Sequence, residues 1–422
     1  MKLVIYEIAF HIMKCSDLNR EEGNGMSSFV SKRVQGLPPY LFSVIDEKKK
    51  RLQEKGVDVI DLGIGAPDLP TPDFIVDRLS KELNDPSNFK YSGYSGCQEF
   101  REAVADFYKR QYDVELDPNT EVLTLIGSKE GIAHAIPAMI DPGDAVLIPD
   151  PGYPVYRTAT YLAGGDCIDL PLDSNDGYRP NFSRLSQTIC EKAKLMFLNY
   201  PGNPTAATVE LDVFEEAVAF AKKHQIGVIH DSAYGLVTFD QFHAPSILQV
   251  KNAKELAIEF GSLSKSFNMT GWRIGYVVGN SKIIRALSNI KSNIDTSQFL
   301  PIQKAAAEAL KSDYKTVEQN NSIYNERLEK MLDALKGIGV NVEKPRGSFF
   351  IWAPVPKGFT SQQFAEKLLE EAGVIITPGN SFGPSGEGYF RISLSVPTNR
   401  LDEAVRRIKS LNLEVTKNVP NH

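Results

Sequence analysis

Cysteine is scarce in this chain of 422 residues: Cys15, Cys97, Cys167 and Cys190 are all there are, and no two form a Cys-x-x-Cys pair. That argues against a disulfide framework and a cysteine-built zinc site, and favours reduced thiols in a cytoplasmic protein. No apolar run in the sequence reaches the roughly 18 residues that a membrane span requires. Positive charge is not in excess either, since 47 Lys and Arg stand against 53 Asp and Glu, a net charge of −6. A nucleic-acid partner favours a basic face, so this balance argues against one. The apolar stretch 3–13 is broken by Glu7 and His11 and leads to no small-residue cleavage pattern, so it does not read as a secretory signal. Residues 1–26 read as a dispensable, disordered extension.

What is present is an ordinary globular composition, 42% hydrophobic and 24% charged, on a chain long enough for two or three domains. Apolar strand-like runs at 122–126, 145–148, 194–199, 226–231 and 256–261 alternate with helical patterns. Such alternation predicts a parallel sheet covered by helices. Each run ends in a polar segment, several marked by Gly or Pro, and in open α/β sheets these segments converge on one crevice. Residues 283–338 lack strand signals and read as long connecting helices. Strands return at 348–352, 374–376 and 389–394, with a helix over 361–371. The expected architecture is α/β: a large domain with a mostly parallel sheet covered by helices, plus a smaller α+β domain. The large domain is expected over 65–300, the connector and small domain over 301–422, and an N-terminal arm with part of the small domain over 27–64.

The most informative stretch is Ser262-Leu263-Ser264-Lys265, with Arg273 eight positions beyond the lysine. An amine condenses with the aldehyde of pyridoxal phosphate, and Ser262, Ser264 and Arg273 are suited to grip the phosphate. Asp231 ends an apolar strand, where a carboxylate is costly unless paired; a protonated pyridine nitrogen is one such partner, and a helix N-cap is the plainer reading. Tyr234 and Asn203 can donate to the cofactor's phenolic oxygen, although an asparagine before proline is also a common turn residue. Tyr153, held behind Pro151-Gly152, is placed to stack on the ring, or is simply a half-buried tyrosine. Ser128 and Lys129 open a helix whose free N–H groups attract an anion, with simple capping as the alternative. Arg391, inside an apolar strand, wants an anion: a substrate α-carboxylate or an internal carboxylate. Gly65 offers backbone to that same carboxylate, or makes a turn. No metal ligand set is apparent.

Taken together, in order and spacing, these motifs resemble the class I/II aminotransferases, the fold type I pyridoxal-phosphate enzymes. The resemblance runs from about Phe29 to Leu413. It rests on Gly65-Ala66-Pro67-Asp68, Asn203-Pro204-Thr205, the Asp231/Tyr234 pair, the Ser262-to-Lys265 run and Arg391. It implies that pyridoxal 5′-phosphate is carried on Lys265 and that an amino group passes by ping-pong transfer from an L-amino acid to a 2-oxo acid. It also implies a homodimer with shared active sites, in which Tyr91 reaches a neighbour's phosphate and Tyr40 helps shape the side-chain pocket. The segments around Ser128 and Tyr153 are similar to a prokaryotic branch that includes LL-diaminopimelate, aspartate, alanine and methionine aminotransferases.

Two departures stand out. Ala206 replaces the usual glycine after Asn-Pro-Thr, a change expected to leave the turn intact. No arginine lies between Arg285 and Arg327, which puts strict aspartate specificity in doubt. A carbon–sulfur lyase or aminocyclopropane-carboxylate-type synthase would keep the same core residues. A non-catalytic cofactor-binding regulator would need a DNA-binding segment ahead of the fold, and the residues before Met26 are too few.

Overall fold

The computed structural model describes residues 29–37 and 41–411. The expected extension over 1–26 and the candidate Tyr40 lie outside the described residues. The described residues up to Arg51 belong to one compact unit. It holds the short helix Lys32–Gln35, where Ser31 Oγ accepts from the Val34 N–H at 3.3 Å, and the start of the helix Leu41–Glu54. The second unit begins at Leu52.

In that second unit strand β1 (Ile60–Asp61) lies outside the main sheet. The main sheet is built from β2 (Val122–Leu125), β3 (Ala145–Asp150), β4 (Asp166–Pro171), β5 (Ala193–Asn199), β6 (Gly227–Asp231), β7 (Ala257–Ser262) and β8 (Gly275–Gly279). Their spatial order is β2-β8-β7-β6-β5-β3-β4. Six run the same way; β8 is antiparallel to both neighbours. Helices cover both faces, so alternate residues feed two different cores. Val146, Ile148, Leu195, Phe197 and Ile229 join one, while Leu147, Met196, Leu198 and Val228 join the other. Burial on both faces is why the strands read as unbroken apolar runs. The pattern did not reveal β4, which lies at the edge and is half polar, or β8, which is bounded by glycines. The short path 263–274 holds only two single turns, Leu263–Ser266 and Thr270–Trp272, and without a crossover helix the neighbouring strand runs back antiparallel.

Beyond the sheet come three helices, Ser281–Ile294, Leu300–Lys311 and Lys315–Gly337, in the region expected to be helical. Strands β9 (Phe350–Pro354), β11 (Thr377–Pro378) and β12 (Tyr389–Ser393) form an antiparallel sheet in the order β11-β12-β9. Strand β10 (Val374–Ile375) pairs in parallel with β1. Between β9 and β10 the helix Ser361–Ala372 starts on a reciprocal cap, Thr360 with Gln363. A separate apolar core gathers here and includes Ile60, Leu62, Phe349, Phe350, Leu368 and Ile392, joined by Tyr234 and Val237. Among the described residues no helix is long and apolar enough to cross a membrane.

Candidate active site

The carboxyl ends of β2, β3, β5, β6 and β7 lie along one edge of the sheet, and Ser128, Tyr153, Asn203, Asp231 and Lys265 lie on or just after them. After β7 the chain makes a single helical turn, Leu263–Ser266, with Ser262 Oγ accepting from the Ser264 N–H at 3.2 Å. Lys265 lies within that turn, half-buried, and its Nζ donates to the Gly65 carbonyl at 2.7 Å. The rings of Tyr234 and Phe349 have their centroids 5.8 and 5.9 Å from the same nitrogen. Burial, aided by the charges of Arg273 and Arg391 and opposed by Asp231, pulls the amine down to about 8. A lysine so tuned is uncharged in roughly one molecule in ten at pH 7, far more than an ordinary lysine, and that is the form that attacks a carbonyl or removes a proton.

Asp231, at the end of β6, is buried, and desolvation pushes its carboxyl upward. Its Oδ2 accepts from the Tyr156 hydroxyl at 2.7 Å, and its Oδ1 from the Ala233 N–H at 3.3 Å. The second contact is local, but residues 233–236 form a turn and no helix begins there, so Asp231 is not a helix cap. Asn199 Nδ2 holds the Asp231 carbonyl at 2.7 Å, while its Oδ1 accepts from the Asn203 N–H at 2.8 Å. One side chain thus ties the loop after β5 to the end of β6. Tyr234 is buried edge-on against Phe349 and Phe350, and burial drives its phenol well above the ordinary value, so it remains a donor.

Tyr156 is a residue that sequence reasoning left without a role. It is fully buried and stacks on Phe197, with centroids 4.6 Å apart. Tyr153 meets it edge-on at 5.6 Å. Nothing local marks Tyr156 as more than a core tyrosine. Its hydroxyl becomes important only because β6 brings Asp231 beside it.

The helix Ser128–Met139 begins after Gly127, which is the cap residue, so Ser128 is not the cap. Gly127 has φ 79° and ψ 154°, and a Cβ there would lie 2.3 Å from Arg273 Nη2. The Arg273 guanidinium therefore lies against the residue that opens the helix. Arg273 Nη1 also donates to the Thr270 carbonyl at 3.0 Å. Free helix N–H groups beside a guanidinium form an anion cradle. Lys129, the second helical residue, is exposed, as is Tyr91.

Arg391, central in β12, is 1% exposed. It donates to Asn203 Oδ1 at 2.6 Å, to the Gly63 carbonyl, and to Thr377 Oγ1 at 3.5 Å. Phe350 and Phe382 face its guanidinium at 4.2 and 4.8 Å. Because Asn203 accepts from Arg391, the donor end of its amide is turned away from the arginine. The structure thus links Lys265 with Gly65, Asp231 with Tyr156, and Arg391 with Asn203. Phe349, Phe350 and Thr377 also touch these groups, and no motif pointed to them.

Residues 57–408 match the family model described as aminotransferase class I and II. A curated LL-diaminopimelate aminotransferase from Aquifex aeolicus is 50% identical over 383 residues, 91% of this chain and 99% of the relative. Its counterpart from Moorella thermoacetica is 48% identical over 379 residues, 90% of this chain and 97% of the relative. Among solved structures, substrate-bound BacF from Bacillus subtilis superimposes with a TM-score of 0.88 at 39% identity, covering 91% of this chain and 98% of that one.

Proposed function

The chain belongs to the class I and II aminotransferases, and on that premise we propose that it works with pyridoxal 5′-phosphate held at Lys265 and takes LL-diaminopimelate as amino donor. As an aminotransferase it moves an amino group from an amino acid to a 2-oxo acid. When bound, the cofactor supplies an aldehyde that receives the amino group and a ring that withdraws electrons from the substrate's α-carbon.

The donor set at the strand ends supports this reading. Lys265, with its lowered basicity, serves as the amine that holds the cofactor and as the base that moves a proton at the substrate α-carbon. Asp231 faces the ring nitrogen, steadied by Tyr156. Asn203 and Tyr234 would present donors to the phenolic oxygen, and Tyr153 would lie against the ring. Ser128, Lys129, Ser262, Ser264 and Arg273 hold the phosphate, and the close approach of Arg273 to Gly127 is what a phosphate cradle at this helix start would need. Arg391 grips the substrate α-carboxylate through its planar fork, with Gly65 backbone beside it.

The amino donor is inferred from the curated relatives, which at 45–50% identity over nine-tenths of this chain are named for LL-diaminopimelate. That substrate carries an amino acid at each end rather than a bare distal carboxylate, which agrees with the lack of an arginine between Arg285 and Arg327. The relatives' names also favour an aminotransferase over a lyase. The test is glutamate formation from 2-oxoglutarate with LL-diaminopimelate, aspartate, alanine and methionine in turn. We expect the first to give the highest kcat/KM; faster turnover of aspartate would overturn the donor assignment. Ammonia released without any 2-oxo acid would point instead to a lyase.

We also propose a homodimer that completes the site, with Tyr91 reaching the partner's phosphate. Phe89, Tyr91, Tyr94, Ile294 and Phe299 are exposed, and Phe89 stacks on Phe299 with centroids 5.9 Å apart. Apolar surface of this kind is usually covered by a partner.

A further inference from the structure

His230 immediately precedes Asp231 and has no part in the site described above. Its ring is fully buried. Nε2 is 3.0 Å from the Tyr200 carbonyl oxygen, and Nδ1 is 2.8 Å from Glu259 Oε2 on the neighbouring strand β7. Phe214 is tilted against the ring, with centroids 4.6 Å apart. A carbonyl oxygen has no proton to give, so Nε2 carries one.

The state of Nδ1 depends on Glu259, which is also fully buried. Three further donors reach that carboxyl group. The Tyr108 hydroxyl lies 2.6 Å from Oε1, the Ser246 hydroxyl 2.9 Å from each oxygen, and the Ile247 N–H 3.0 Å from Oε2. Burial drives the Tyr108 phenol far up, so it keeps its proton and donates. A carboxylate accepts at about four positions, whereas a carboxylic acid gives up one of them to its own proton. The oxygen facing Nδ1 already accepts from Ile247 and Ser246, which leaves it poorly placed to carry that proton. Glu259 is therefore the acceptor, and Nδ1 is a second donor.

We propose that His230 is a buried imidazolium locked by Glu259, and that it acts as a positioning residue: its positive charge helps keep Asp231 ionised where that carboxylate meets the cofactor ring. The second half of this inference rests on the role assigned to Asp231 above. The pair is neutral as a whole, but its positive member is the chain neighbour of Asp231. Among the influences on Asp231, desolvation is the largest and pushes the carboxyl up; the Tyr156 hydrogen bond and then the His230 charge oppose it. The remaining groups that face the ring or its partner carboxylate, Tyr200, Ser246 and Tyr108, contribute hydrogen bonds rather than charge.

The test begins with the cofactor-free wild-type protein, labelled with nitrogen-15 in the histidine rings. The His230 signals are identified by their loss in His230→Gln. Both ring nitrogens should appear protonated at pH 7. A single protonated nitrogen would mean that Glu259 holds the proton, and would overturn the proposal. His230→Gln offers an uncharged amide to the same neighbours. It should melt cooperatively yet bind pyridoxal phosphate about tenfold more weakly at pH 7. A folded variant with wild-type affinity would remove the positioning role. If His230→Gln fails to fold, Glu259→Gln replaces it, and there only one His230 ring nitrogen should appear protonated; two would overturn the pairing. An imidazolium found in a protein that binds no pyridoxal phosphate would sink the cofactor reading alone.

Discussion

At the scale of single residues, the tests turn on what each side chain can do chemically. Purified wild-type protein with pyridoxal phosphate should be yellow, and Lys265→Ala should lose that absorbance; borohydride labelling of another lysine in the variant would refute the assignment. Lys265 also carries a stability cost in the cofactor-free protein. Its amine is lowered from 10.5 to about 8, so between those values the unfolded chain binds more protons and stability rises with pH. Below about pH 8 the whole penalty applies. Lys265→Met should then gain roughly 3 kcal/mol in urea unfolding at pH 7 and little at pH 10.5. At saturating pyridoxal phosphate, Asp231→Asn should still load the cofactor, though more weakly than the wild type, and lose most turnover, because an amide cannot stabilise a protonated ring nitrogen. Arg391→Lys keeps the charge and loses the planar fork, so kcat/KM should fall by at least about 1–3 kcal/mol equally for unlike amino donors. A loss confined to one acidic donor would make Arg391 a side-chain specificity residue.

At the scale of elements, two backbone positions carry the argument. Gly127 opens the helix Ser128–Met139 in a conformation that only glycine adopts readily, against Arg273. Gly127→Ala should cost on the order of 1–3 kcal/mol of stability and weaken cofactor binding as well, since the guanidinium must move. A purely structural loss, with unchanged cofactor affinity in the folded fraction, would separate Arg273 from the phosphate. The turn after Asn203 is intact, with the Ala206 N–H donating to the Gly202 carbonyl at 3.1 Å, as the small substitution led us to expect. It is nonetheless strained, because Ala206 has φ 54°. Left-handed backbone costs an L-residue roughly 1–2 kcal/mol, and glycine forfeits about 0.4–1 kcal/mol in the unfolded chain. Ala206→Gly should therefore stabilise the protein modestly, by up to about 1 kcal/mol, measured as an increase in the denaturation midpoint.

At the scale of the whole molecule, the exposed aromatic patch and the activity should depend on each other. Sedimentation of the wild type should give a dimer. Phe299→Asp, placed beside Phe89, should shift it towards monomer and lower activity in parallel. A fully active monomer would show that Tyr91 does not complete a neighbour's site.

The sequence by itself determined the fold class and most of the polar residues at the strand ends, because both are written in local patterns. Two-sided burial makes parallel strands continuously apolar, and the chemistry of a lysine between serines or an aspartate closing a strand is visible without coordinates. The strands β4 and β8 escaped because one is an edge and the other is short and glycine-bounded. Only the tertiary structure decided which groups meet. Tyr156 touches Asp231 across 75 residues of chain, Arg391 reaches Asn203 across 188, and Lys265 finds the Gly65 carbonyl across 200. The His230–Glu259 pair is equally invisible in the text, since its members become neighbours only through the register of β6 against β7. Hydrogen bonds act over about 3 Å, and which atoms come that close is set by strand order and register rather than by spacing along the chain.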